Sequence, residues 1–295
     1  MDQFVYAIDI PSVKTRAYFK EMSSRYYKSL VKTIVNGDDD AICSYIDNMI
    51  STLMHTGPDV KTLNVIDKLI IMLTVRAYNV SPTIQFTVKN KDDKKINVNV
   101  DVNSILAVLQ SYKLQSSFQI TNTGSINIEC TLPKWFYFEN YSGLVASCVS
   151  TISINNKIVD LCDMSMSERI HVVDQLPSPV FTEISSFLSA QNDHICDRPI
   201  FKFDDPDNEI EVGDISISLF NTSCYEFLKM VFNTSLREFY ETEYHLCKLK
   251  MPWELVTQST PAELSMIFNI ISEDMKKQKA EMDKSDQTGH MVPPK

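Results

Sequence analysis

Apolar positions along the chain fall first at helical spacing and then at strand spacing. From Ser12 to Val35, the residues Tyr18, Phe19, Met22, Tyr26, Tyr27, Leu30 and Val31 recur about three and four apart, which predicts a helix. Asn36-Gly37-Asp38-Asp39-Asp40 stops it and starts a second helix carrying Ile42, Tyr45, Ile46, Met49, Ile50 and Leu53. His55-Thr56-Gly57-Pro58 breaks that period. A third, strongly apolar helix is expected from about Leu63 to Tyr78, with Ser81-Pro82 ending it. The chain up to residue 82 therefore reads as helical.

The period then changes to two. Thr83–Val88 and Ile96–Val100 alternate across the polar turn Lys89–Lys95, which predicts a β-hairpin with one dry face. Asp101–Leu114 reads as a short helix, and a second hairpin follows from Phe118–Thr121 and Ile126–Leu132 around Asn122–Ser125. Phe136-Tyr137-Phe138 and Leu144–Ile154 are expected to extend this β-rich part as far as Asn155-Asn156. Helices return at Ser165–Leu176, stopped by Pro177 and Pro179, and at Phe181–Leu188. Pro199–Phe203 and Ile210–Leu219 are strand-like about the acidic turn Asp204-Asp205-Pro206-Asp207. One long helix is expected from Cys224 to Leu249, with Tyr225, Leu228, Phe232, Leu236, Phe239 and Tyr240 along a stripe. Thr260, Pro261 and Glu263 then supply an N-cap, a first-turn proline and a capping box for a last helix.

These patterns predict an α+β fold, with a helical body from the N- and C-terminal thirds and a central β-rich module. The expected boundaries are 1–82 for the N-terminal helical part, 83–160 for the β-rich module, 161–275 for the mainly helical C-terminal part, and 276–295 for a polar tail. No internal repeat or sustained heptad is present.

Composition narrows the chemistry. A net charge of −10, from 28 Lys+Arg against 38 Asp+Glu, argues against sequence-independent nucleic-acid binding. With only 6 glycines, all isolated, no phosphate-cradling loop and no GxSxG elbow can be drawn. The 7 cysteines form no CxxC pair, and the N-terminus has no basic segment followed by an apolar one. Free thiols in a reducing compartment, without a secretory signal, are the expectation. The most apolar stretch, Leu69–Val75, is far shorter than the roughly 20 residues of a membrane span.

Candidate sites are few. His194/Cys196 and His245/Cys247 have zinc-compatible ligand types, but the second pair lies in a predicted helix, where residues two apart point to nearly opposite sides. A Cys–His nucleophile pair assembled from distant segments is the enzymatic alternative, set against the usual fate of thiols as small buried hydrophobes. The acidic cluster Asp204, Asp205, Asp207, Asn208 and Glu209 lacks EF-hand spacing and reads as a solvated turn; Asp38-Asp39-Asp40 reads as helix-start charge. Trp135-Phe136-Tyr137-Phe138 is too dense for one strand to bury on a single face. Either a second layer covers it or it is a docking patch, and these four residues are the partner-binding candidates. The tail from about Lys276 is the other element expected to face a partner.

The segment TLNVIDKLIIMLTVRAYNV, running straight into TIQFTVKNKDDKKINVNVDVNSIL, resembles the baseplate-hub family of T4-type contractile-tailed phages, subunits and assembly proteins alike. LREFYETEYHL and STPAELSMIFNIISEDMKKQK resemble the C-terminal pattern of that family. The resemblance is to structural motifs over Leu63–Leu106 and looser elsewhere. It implies a non-enzymatic protein of the host cytoplasm during assembly, or of the tail baseplate. Its expected partners are other baseplate or hub proteins or a second copy of itself, with no nucleic acid and no membrane span. A generic phage-encoded adaptor is a further alternative. Members of that family often carry a CxxC pair in the hairpin turn that looks like a zinc knuckle; here the turn Val88–Lys95 has no cysteine. No metal and no cofactor is therefore expected, and the hairpin must be held by packing. Freshly purified protein should contain no stoichiometric zinc, and elemental analysis giving near one zinc per chain would contradict this.

Overall fold

The computed structural model describes residues 5–89, 93–115, 117–122, 126–154, 157–204, 212–232 and 235–288. The expected turns at 90–92, 123–125 and 155–156, the acidic turn at 205–209 and the chain end from 289 lie outside the described residues.

The N-terminal region is not all helical. Strands β1 (Val5–Ile10), β2 (Thr15–Lys20) and β3 (Met54–Thr56) form an antiparallel sheet in that order, so the helix expected from Ser12 splits into β2 and α1 (Ser24–Asn36). The cause is a period of two overlaid on one of three to four. Tyr6, Ile8 and Ile10 are buried while Val5, Ala7 and Asp9 are exposed. Ala17 and Phe19 are likewise buried on either side of exposed Tyr18, as a pleated strand requires. Helix α1 ends at Gly37, whose φ of +73° is a left-handed conformation glycine adopts at little cost, and whose N–H bonds the Ile34 carbonyl at 3.1 Å. The Asp38 carboxylate accepts the Ala41 N–H at 3.0 Å and so caps α2 (Asp39–Leu53).

Helix α3 (Val65–Asn79) is buried on every side from Val65 to Arg76, with Tyr78 of its last turn exposed. Asn64 and Asp67 form a reciprocal capping box at its start, and Asp67 also accepts hydrogen bonds from the Ser12 backbone and hydroxyl. Leu69, Met72 and Leu73 are fully buried and Val75 nearly so, as their pattern predicts; Lys68 and Arg76 at the edges of the run are buried too. Lys68 Nζ lies 2.6 Å from Asp47 of α2 and donates to the Lys134 carbonyl at 2.7 Å. Arg76 donates to the carbonyls of Val231, Ser81 and Thr83. Asn79 accepts the Met22 N–H at 2.8 Å and donates to the Tyr6 hydroxyl and the Val75 carbonyl.

Beyond α3 come the expected hairpin β4 (Thr83–Lys89)–β5 (Lys95–Asp101) and helix α4 (Val102–Ser111). A four-stranded antiparallel sheet follows, ordered β6 (Ser117–Asn122), β7 (Ile126–Thr131), β8 (Val149–Ile154) and β9 (Lys157–Asp160). Two parts of the strand reading fail here. Residues 136–138 belong to an irregular segment, and Tyr141–Cys148 is helix α5, capped by Asn140, which accepts the Gly143 N–H at 2.9 Å. Gly143–Cys148 is buried all round, so its apolar run has no period by which to tell helix from strand.

The remaining elements are α6 (Met166–Val173), α7 (Ser178–Cys196), the hairpin β10 (Phe201–Asp204)–β11 (Val212–Ile215), α8 (Ser223–Val231), α9 (Leu236–Lys248), α10 (Trp253–Gln258) and α11 (Pro261–Thr288). Pro179 sits in the first turn of α7, where a proline fits, rather than stopping a helix. The single helix expected over Cys224–Leu249 is two, because Ser235 caps a new start at α9. Thr260 and Glu263 make the expected capping box, and the polar tail is helical as far as Thr288. The architecture is α+β, with several small sheets among packed helices. One large core runs from β1 to α8, and a small second cluster of Leu246, Val256 and Leu264 joins α9, α10 and α11.

Leu73→Ala should destabilise the protein by about 2–5 kcal/mol, the range for truncating a fully buried leucine. A thermal melt with an unchanged midpoint would show that the site is not buried.

Candidate functional site

Elements distant in sequence meet at a cleft of about 530 Å³. One wall is the irregular segment that follows β7. Its course is set by α3: the Val65 N–H donates to the Pro133 carbonyl at 2.8 Å, and Lys68 holds the Lys134 carbonyl. The opposite wall is α2, presenting Asp40, Cys43, Ser44 and Asp47, and α6 contributes Met166, Ser167 and Ile170.

The aromatic run divides at this point. Phe136 is 2% exposed and belongs to the core, so a direct partner contact is not open to it. Trp135, Tyr137 and Phe138 are half-buried and line the cleft. The Arg169 guanidinium of α6 lies 4.8 Å from the centre of the Trp135 ring. Tyr137 packs tilted against Tyr225 of α8 at 5.7 Å, and the Tyr225 hydroxyl bonds the Asp39 carboxylate. A second layer thus covers part of the run and leaves the rest facing a concavity.

The cleft is acidic. Asp47 is matched by Lys68, and burial pushes its carboxyl above the usual range against that attraction. Asp40 and Glu139 have no ion-pair partner among the described residues. Partial burial raises the Tyr137 phenol, and the charges of Asp39, Glu139 and Asp40 raise it further. Sequence reading assigned Asp40 to the start of α2 and gave Glu139 no role. Nothing local in the sequence marks their pairing across the cleft, because the α3 anchors create it.

Four of the thiols are held away from reactivity by burial. Burial pushes Cys43, Cys130 and Cys224 up to about 12, and Cys148 higher still. Among the described residues, the hydrogen bonds given for the thiols involve Ser, Asn, Lys, Asp and Arg side chains and backbone carbonyls, and none involves a histidine. His194 and Cys196 lie on α7, and His245 and Cys247 on α9. No group of three or more His, Cys, Asp or Glu among the described residues could hold a metal ion.

Residues 1–198 match the family model described as T4 bacteriophage base plate protein. The chain belongs to this family. No curated protein and no solved structure matches it. A phage baseplate protein works among other baseplate proteins in the virion tail, and no helix among the described residues is long and apolar enough to cross a membrane. Every residue lining the cleft lies within the matched segment of this baseplate protein, as does Leu63–Leu106. Elements α9 and α11, which hold the two C-terminal motifs LREFYETEYHL and STPAELSMIFNIISEDMKKQK, lie beyond it.

Alkylation of the native protein at pH 8 should label exposed Cys196 and Cys247 and spare Cys130, Cys148 and Cys224, as read by peptide mass spectrometry. Rapid labelling of any of the last three without denaturant would mean that its thiol is accessible.

Proposed function

We propose that this baseplate protein is a non-enzymatic component of the baseplate hub, as a subunit or as a factor that assembles it, and that it acts through protein–protein binding in the host cytoplasm and in the contractile tail. The observation that carries this reading is the place of Leu63–Leu106. This segment holds the resemblance to hub proteins, lies inside the family match, and builds the central helix α3 with the hairpin and α4 packed after it. The non-enzymatic reading is supported by the thiols, since a nucleophilic cysteine needs a depressed pKa or an adjacent base and the buried ones here have neither. Trp135, Tyr137 and Phe138 suit partner binding, because aromatic side chains supply large contact areas at low entropic cost.

Tail-assembly intermediates isolated with and without the protein test this. Hub intermediates should fail to accumulate in its absence. Its presence in finished particles identifies a subunit, and its absence from them an assembly factor. Baseplates that form at normal yield without the protein would refute both.

A further inference from the structure

Aromatic rings and uncompensated carboxylates share the cleft between α2, α6 and the segment after β7. We propose that this cleft receives a basic side chain, arginine or lysine, from a partner baseplate protein. The inference rests on the reading that the chain acts by binding its neighbours, and it names the chemistry by which it does so.

Three features carry it. The first is space: about 530 Å³ lies within the roughly 300–1,000 Å³ of sites that enclose a ligand group. The second is the wall. Trp135, Tyr137 and Phe138 line it, and the negative face of an aromatic ring attracts a cation, as Trp135 already does for the protein's own Arg169. The third is charge. Asp47 is neutralised by Lys68, and Asp39 is engaged by the Tyr225 hydroxyl with Lys229 at 3.9 Å. Asp40 of α2 and Glu139 of the segment after β7 are exposed in the cleft and have no ion-pair partner among the described residues. The negative field they set up is felt at Tyr137, whose phenol they help to hold protonated.

An incoming cation would find two carboxylates and the rings of Tyr137 and Phe138, beside a Trp135 ring that already holds Arg169. Lys68 is tied to Asp47 and the Lys134 carbonyl, and Arg169 donates to the Ala146 carbonyl behind Trp135. An anionic or purely apolar group would leave Asp40 and Glu139 desolvated without compensation. Arginine fits best, since its planar guanidinium can stack on a ring while pairing with a carboxylate.

The test uses the full chain with Trp253→Phe, which leaves Trp135 as the single tryptophan reporter. Tetra-arginine should change its fluorescence saturably, tetra-lysine more weakly, and tetra-glutamate or sodium chloride of equal ionic strength should not reproduce the change. Asp40→Asn with Glu139→Gln should weaken the arginine response at least about tenfold, with circular dichroism unchanged. Glu139→Lys, which supplies a cation from within, should abolish it. A response equal in parent and double variant, or one that follows ionic strength alone, overturns the proposal. This titration involves no baseplate, so it stands or falls apart from the hub reading. In infected cells the double variant should enter baseplate intermediates several-fold less than the parent; equal incorporation would overturn the assignment of the cleft to a baseplate partner.

Discussion

The structure depends on a helix that is buried all round from Val65 to Arg76 and yet carries Asp67, Lys68, Thr74, Arg76 and Asn79 among its buried residues. Polar groups removed from water cost free energy unless they are hydrogen-bonded; Thr74 donates to the Ile70 carbonyl within the helix, and the other four reach partners in what packs against α3. Those partners lie in the turn after β1, in α2, at the entry to α1, in the strand-to-helix segment after β7, at the start of β4 and at the end of α8. Apolar burial drives α3 inward but does not choose its rotation or height. The polar contacts do, because a shift of one turn would leave Arg76 without the Val231 carbonyl and Lys68 without Asp47. Removing one partner of such a buried pair typically costs about 3–5 kcal/mol. The interactions therefore select one arrangement among several that would bury similar apolar area.

That same dependence explains what could be read from the sequence and what could not. The apolar core of α3, the hairpin β4–β5, helix α4, the sheet pairing of β6 with β7, and the cap of α11 each follow from a local signal of period or capping, and each is present. The failures occur where two signals overlap or none exists. In Thr15–Lys20, adjacent Tyr18 and Phe19 satisfy a helical spacing with Met22, while the alternation that matters is carried by Ala17, a residue too small to announce a core position. In Tyr141–Cys148, burial on all sides removes the period altogether. Between Phe232 and Leu236 the stripe continues in register across a break, so hydrophobicity alone joins two helices that Ser235 separates.

The cleft was half legible. The density of aromatics marks Trp135–Phe138 in the sequence, but the segment is not a strand. What the run could not reveal is which rings face inward. Phe136 goes to the core because the chain at Lys134 is pinned from below by Lys68, which fixes the direction in which the next side chains leave the backbone. The acidic half was invisible, since Asp40 and Glu139 belong to elements nearly a hundred residues apart and are brought to one cavity by contacts neither of them makes.

The link between the two hydrophobic clusters shows the same logic at the other end of the chain. Elements α9, α10 and α11 share a small core of their own, and Leu236 and Phe239 of α9 also pack against the large one, Phe239 tilted on Tyr27 at 5.2 Å. They are fastened further at α1, where Lys28 pairs with Glu243 at 2.6 Å with both side chains largely buried, and where the Ser24 N–H donates to the Ser259 carbonyl at 2.8 Å. Lys28 also lies 5.0 Å from the Tyr240 ring centre and 5.7 Å from that of Trp253, so one ammonium collects a carboxylate and two aromatic faces. Within one molecule, aromatic rings beside a carboxylate thus dock a lysine from another element, and the cleft brings together the same kinds of group inside the part of the chain that the baseplate family shares.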